Sequence, residues 1–353
     1  MSTQQESKKD FFDKLVSVTE SVLTWRARRR FRRRERQKKK SWLVDWIEAF
    51  VWAACVVLII NQYFFQAYEI PSGSMERTLL VHDRIFVNKF IFGPELLPGL
   101  GKLPGLAQPQ RGDIIIFENP AYISPVSAWG PAWVTAYDVA QRLLYMMTLS
   151  LVEIDRDPDG KPKAHFLVKR AVGYGGDVVR FIDGNAYFRP EGLSGWMPEH
   201  ELKKLTGLVY GNHRVPQNLQ DKYYQALPGY ALALAHQDLG LPMTDADKTA
   251  VKTFNGVMQT AESSRQDFIY DPFALDQLKT KIELAYYPNI PQVTSDWQKD
   301  ENGTYIPKGY LLPLGDNRDN SKDGRYFGPV RANKVLGEAA FRYWPLYRFG
   351  EIR

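Results

Sequence analysis

The chain has 353 residues, 44% of them hydrophobic, enough for a real core in two domains or one large elaborated one. Its net charge of +6 is uneven: residues 1–40 hold 14 Lys+Arg against 5 Asp+Glu, and the remainder holds 32 against 35. The single cysteine, Cys55, excludes an intrachain disulfide framework and a cysteine zinc site, and the five histidines show no His-x-x-x-His spacing, so neither a structural metal nor a cofactor is expected.

Residues 1–25 are polar with scattered apolar positions, and read either as a short amphipathic helix resting on a membrane surface or as a frayed tail. Residues 26–40 are mostly Arg and Lys, a run that repels itself and forms no core. Such a run can bind nucleic acid, but here it directly precedes an apolar stretch beginning at Ser41-Trp42-Leu43. Positive charge beside a hydrophobic helix is retained on the cytoplasmic side, Trp42 and Trp46 suit the interface, and the basic run meets anionic head groups. Membrane lipid rather than nucleic acid is therefore the expected partner.

The uncharged stretch Ala49–Ala67 is 19 residues, about enough to cross a ~30 Å hydrocarbon layer. No small-x-small pair follows it, which disfavours a cleaved signal sequence. The expected organisation is a basic cytoplasmic tail over 1–40, one transmembrane helix over 41–67, and an extracytoplasmic catalytic domain over 68–353.

Just past the apolar stretch stands Ile70-Pro71-Ser72-Gly73-Ser74-Met75. Pro71 stiffens the approach, Gly73 permits close backbone contact, and two serines flank it. A serine hydroxyl becomes a nucleophile only when a base takes its proton. Arg84–Phe92 reads as a strand, residues 93–110 as a Gly/Pro loop, and Arg111-Gly112-Asp113 as a turn feeding the strand Ile114–Phe117. Residues 121–163 read as an insertion, with a helix expected over Tyr137–Leu151. Its apolar face fits packing on the body or contact with a membrane surface.

Asp155–Gly160 imitates half of a calcium loop, but Phe166 stands where the closing Glu belongs, so a hairpin turn is expected there. The base candidate is Lys169, at the end of the apolar run Phe166-Leu167-Val168. Desolvation there lowers a lysine's pKa and makes a neutral amine available. Val178–Ile182 is the next strand. Residues 190–300 are helical and loop-rich, with Asp276–Tyr287 the clearest helix and no catalytic constellation apparent. Strands resume near Tyr305, before the charged and amide-rich loop Gly315–Gly328.

Pro-Ser-Gly-Ser-Met at 71–75, Arg-Gly-Asp-Ile-Ile-Ile-Phe at 111–117, Lys-Arg-Ala-Val-Gly-x-x-Gly-Asp at 169–177 and Gly-Asp-Asn-Arg-Asp-Asn-Ser-x-Asp-x-Arg-Tyr at 315–326 stand in order behind the anchor. This set resembles bacterial type I signal peptidase (leader peptidase). The resemblance covers roughly 67–120, 164–190 and 305–345, leaving 1–40, 121–163 and about 190–304 uncovered.

It implies a mainly β, antiparallel, signal-peptidase-like fold, the one also used by self-cleaving repressor proteases. One N-terminal transmembrane helix precedes it and α-containing insertions interrupt it at about 121–163 and 190–304. The implied activity is signal-peptide cleavage from exported preproteins after small residues at −3 and −1, by a monomeric enzyme of the bacterial cytoplasmic membrane with its N-terminus inside. By motif position, Ser74 resembles the nucleophile and Lys169 the general base. Ser72, with the Ser74 N–H, resembles the oxyanion hole, and Ser321 resembles the serine that orients the lysine. Asp323 and Arg325 resemble a structural ion pair. Ile70, Pro71, Met75, Leu79 and Val168 are expected to line a shallow apolar substrate pocket.

The chain departs from the family pattern at Arg77, where proline is usual, at Tyr174-Gly175, where Leu-Pro is usual, and at Gly324, where serine is common. Other readings are a Ser74–His82–Asp83 hydrolase, a self-cleaving repressor-type protease, and a membrane-anchored scaffold with a vestigial dyad.

Overall fold

The computed structural model describes residues 16–17, 19–21, 23–25, 27–30, 42–97, 100–122, 124–148, 165–182, 184–211, 217–263, 271–289, 291, 294 and 302–352. The hairpin turn expected at Asp155–Gly160 and most of the basic run lie outside them. The chain divides into two compact units, 1–57 and 58–353.

Helix α1 runs Trp42–Tyr63, 22 residues without proline or glycine, with Asp45 in its first turn. At 1.5 Å per residue it is about 33 Å long, close to the hydrocarbon thickness of a bilayer. It is the one described helix long and apolar enough to cross a membrane, with a mean hydropathy of 2.2 and none of its most apolar window buried. It stops four residues short of the expected end at 67, because Phe65–Glu69 forms strand β1, paired with β2 (Arg84–Asn88). Asn61 and Gln62 are buried, and Gln62 Nε2 donates to the Glu95 carbonyl. These two polar residues therefore belong to the folded body.

The second unit is built on antiparallel sheet, as expected. The remaining strands are β3 (Glu95–Leu97), β4 (Leu100–Lys102), β5 (Ile114–Glu118), β6 (Phe166–Tyr174), β7 (Val178–Ile182), β8 (Asn185–Arg189), β9 (Met197–Pro198), β10 (Thr304–Tyr305), β11 (Tyr310–Leu314), β12 (Val330–Arg331), β13 (Val335–Trp344) and β14 (Gly350–Glu351). The main sheet has the order β1-β2-β13-β5-β6-β11-β12, with β14 beside β13. A second sheet has the order β10-β7-β8-β9, and β3-β4 is a hairpin. Alternate residues of β5 enter different clusters: Ile114 and Ile116 pack with Tyr68, Ile85 and Val87, while Ile115 and Phe117 pack with Ala171, Leu311 and Val335. Both faces of the sheet are covered, which is why β5 reads as an unbroken apolar run.

Helix α2 (Pro131–Met147) starts six residues before its expected position. Arg142 docks it, donating to Glu95 and Glu118. The later helices are α3 (Glu199–Thr206), α4 (Gln217–Asp238), α5 (Asp245–Ser263), α6 (Pro272–Tyr286) and the single turn α7 (Gly324–Phe327). Tyr223, Leu227, Ala231, Phe254, Ala274 and Leu275 give α4–α6 their own core.

Candidate active site

The Ser74 turn is a single 3-10 turn, Gly73–Met75, between β1 and β2. Met75 is 1% exposed and Leu79 0%, both in the cluster with Ile70, Ile85 and Val87. These apolar side chains pin the turn, so Ser74 is held by its neighbours' burial. Of the five expected pocket residues, Ile70, Met75 and Leu79 are buried anchors of the turn, Val168 is half-buried against the same cluster, and Pro71 is exposed.

Lys169 lies inside β6, paired across from Ile115, rather than at the end of its strand. Its Nζ is 2.7 Å from Ser74 Oγ, and it donates to the Val168 carbonyl at 3.0 Å. Four strand spacings separate β1 from β6 in the sheet order, about 19 Å if the sheet were flat. A lysine side chain cannot bridge that, so the sheet curls to bring the turn after β1 over β6. Burial is the largest influence on the amine and lowers its pKa from 10.5 to about 8. Asp323 and Asp316 pull it back up, and Arg325 pushes it down.

The loop 315–325 packs against this pair. Asn317 N–H donates to the Ser74 carbonyl, and Asn317 Nδ2 donates to the Gly73 carbonyl, so one residue clamps the backbone on both sides of the Ser74 N–H. A Cβ on Gly315 would stand 2.3 Å from Ser321 Oγ and 2.6 Å from the Ser74 carbonyl, so only glycine allows this approach. Asp323 and Arg325 pair as expected, Nε to Oδ1 at 2.9 Å, both side chains fully buried. Burial opposes the Asp323 charge, but Arg325 outweighs it and holds its pKa below the usual carboxylate value.

Ser72 is exposed, its Oγ 3.5 Å from Ser74 Oγ. Ser321 departs from expectation. It is buried beside Gly315, but its Oγ has no hydrogen-bond partner among the described residues, so no bond from it orients Lys169 in this conformation.

The His82–Asp83 alternative is dismantled by geometry. His82 is 81% exposed and its Nδ1 sits 2.9 Å from Glu69, while Asp83 accepts from the Leu80 N–H and from Arg348.

The departures from the family pattern have local causes. Arg77 has φ +83°, a conformation closed to proline, whose ring fixes φ near −65°. A Cβ on Gly175 would stand 2.8 Å from the Lys308 Cα, and one on Gly324 would stand 2.7 Å from the Pro313 carbonyl. Larger residues at either place require backbone movement.

Sequence reasoning missed the arginine pairs behind the site. Arg170 donates from Nε and Nη2 to the two oxygens of Asp316, at 2.8 and 2.7 Å, both residues buried. Arg318, 1% exposed, donates from Nη1 and Nη2 to the two oxygens of Glu199 at 2.6 and 2.8 Å. Arg170, Asp316 and Arg318 stood within the quoted motifs, but nothing in their spacing said which carboxylate each arginine takes. Glu199 lies in the section where no constellation was apparent.

A curled antiparallel sheet that holds a serine against a buried, pKa-lowered lysine defines a hydrolase-type site. The family model described as "Signal peptidase, peptidase S26" matches residues 43–222 and 253–344. The chain belongs to this family and is a peptidase of it.

Signal peptidase I of Pseudomonas aeruginosa is 37% identical over 302 residues, covering 86% of this chain and 69% of that protein. Signal peptidase I of Haemophilus influenzae is 24% identical over 82% of this chain, which spans 66% of that protein's length. Signal peptidase I of Aquifex aeolicus is 25% identical over 82% of this chain and 79% of that protein. The family match also runs through 121–163 and parts of 190–304, which the motif resemblance left uncovered. The unmatched interior, 223–252, runs from within α4 through the connecting turn into α5.

Proposed function

We propose that this chain is a membrane-anchored serine endopeptidase that removes signal peptides from exported preproteins, cutting after small residues at −3 and −1. The observation that carries this reading is the 2.7 Å approach of a buried lysine amine to Ser74 Oγ. Neutral Lys169 accepts the Ser74 hydroxyl proton as Oγ attacks the scissile carbonyl carbon. The developing oxyanion accepts hydrogen bonds from the Ser74 N–H and the Ser72 hydroxyl, the interaction that supplies much of the rate in such sites. Protonated Lys169 then donates to the leaving amine, and water deprotonated by the now neutral Lys169 attacks the acyl carbon and releases it from Ser74, whose Oγ takes the proton back from Lys169.

Helix α1 anchors the enzyme in the bacterial cytoplasmic membrane, its basic flank inside and the catalytic unit outside. Tryptophans at the start of α1 support the interface assignment: Trp42 is 68% exposed and Trp46 70%. The test is a purified precursor with Ala-x-Ala before its cleavage site, mixed with full-length enzyme in detergent. Cleavage that is lost in Ser74→Ala and Lys169→Ala is the expected result. Cleavage that persists in Lys169→Ala overturns the dyad, and no cleavage by the unsubstituted chain favours a scaffold.

A further inference from the structure

The segment 199–211 is seated on the back of the site at four points. The Glu199 carboxylate holds both terminal nitrogens of Arg318, whose Nε donates to the Gly315 carbonyl. Tyr210 OH donates to the same carboxylate at 2.7 Å, and its ring lies 4.5 Å from the Arg170 guanidinium. A Cβ on Gly112 would stand 2.4 Å from the Leu208 side chain, and one on Gly211 would stand 2.6 Å from the Arg77 side chain. Arg318 immediately follows Asn317, the residue that clamps the Ser74 turn.

We infer that Glu199 is a positioning residue for the nucleophile: by fixing Arg318 it sets the 315–318 turn, and through Asn317 it sets the Ser74 carbonyl and N–H. This rests on the Ser74–Lys169 reading.

The charge arrangement supports a functional rather than a purely structural part. Three buried arginines each take a carboxylate: Arg170 with Asp316, Arg318 with Glu199, and Arg325 with Asp323. Lys169, facing Asp323, Asp316 and Arg325, is left with no carboxylate of its own among the described residues and so can lose its proton. Glu199 faces Arg318, Tyr210 and Lys203, and their charges and hydrogen bonds overcome its burial and hold its pKa near 2. It is therefore anionic throughout the working range.

Glu199→Gln keeps the size and removes one negative charge from this cluster, which disfavours protonated Lys169. Asp271, at the start of α6 and 3.4 Å from Arg325, attaches the helices α4–α6 to the same loop.

The experiment compares full-length unsubstituted protein, Glu199→Gln, Glu199→Asp and Tyr210→Phe in detergent. The readouts are kcat, KM, the acid limb of the pH profile and the thermal midpoint. Glu199→Gln is expected to lower kcat at least ~10-fold, with KM within ~3-fold, and to move the acid limb to lower pH. Glu199→Asp keeps the charge, so its limb stays at the original position and part of kcat returns. Activity lost only in proportion to the unfolded fraction, with the limb unmoved, overturns the inference, as does an unchanged kcat.

If Glu199→Gln does not fold, Tyr210→Phe decides. A fall in its kcat at constant KM supports the role, and an unchanged kcat overturns it. An unsubstituted enzyme that is inactive or lacks an acid limb sinks the dyad reading instead.

Discussion

Replacing Lys169 by methionine separates catalysis from stability. The amine is buried and its pKa falls from 10.5 to about 8, so holding it in the fold costs about 3 kcal/mol below pH 8. The folded value lies below the unfolded one, so across that interval the unfolded chain binds the extra proton and stability rises with pH. Below about pH 8 the full cost is present, and by pH 10 it has dropped to about 1 kcal/mol. Methionine removes the charge and keeps the length, but forfeits the bonds to Ser74 and to the Val168 carbonyl, worth about 1 kcal/mol.

The variant should therefore be more stable than its parent by about 2 kcal/mol at pH 7 and have no advantage at pH 10. Precursor cleavage should fall by about 1,000-fold or more, the loss expected when a base is removed from a unit that acts together. Urea unfolding of the full-length protein in detergent at the two pH values measures the difference. A stability gap that does not change between pH 7 and pH 10 would refute the claim that the amine is held in its neutral form by burial.

Other perturbations test separate parts. In the unsubstituted enzyme the neutral fraction of Lys169 rises from about one-tenth at pH 7 to about nine-tenths at pH 9, so kcat/KM should climb nearly tenfold; a flat profile over that range contradicts the lowered pKa. Ser72→Ala should cost about 100-fold in kcat with little change in KM, the signature of one lost oxyanion donor, and an equal change in both constants would place Ser72 in substrate binding instead. Asp323→Asn leaves the Arg325 cation buried without its main partner and should destabilise by about 3–5 kcal/mol, read as a lower urea midpoint. Arg77→Pro imposes the family's usual residue on a backbone at φ +83° and should lower the thermal midpoint; an unchanged midpoint would mean that the turn has a second conformation.

Much of the site was legible because its chemistry is written in short, contiguous pieces. Pro71-Ser72-Gly73-Ser74, the Lys169 strand and the 315–326 loop each declare a role locally. The apolar stretch of α1 and the β-branched run of β5 declare their secondary structure through hydropathy alone. Boundaries were less legible. Helix α1 ends at Tyr63 because Phe65–Glu69 has a strand partner 23 residues or fewer away, which no window on the helix contains.

Apolar residues beside a reactive serine can line a cleft, anchor a turn, or do both, and the composition is the same in each case. Burial shows that Ile70, Met75 and Leu79 anchor the turn.

Composition, order and local pattern by themselves determined a basic tail before an apolar helix, an antiparallel body, and a serine and a lysine held in separate motifs. Only the closed three-dimensional arrangement decided that Ser74 and Lys169, 95 positions apart, meet at 2.7 Å, that Arg318 takes Glu199 rather than a neighbouring aspartate, and that Ser321 is buried with no partner among the described residues. Periodicity and turn chemistry act over a few residues and survive in any context. Charge pairing and desolvation depend on which distant groups the curled sheet brings within about 4 Å, and several carboxylates are equally available to each arginine until the chain has folded.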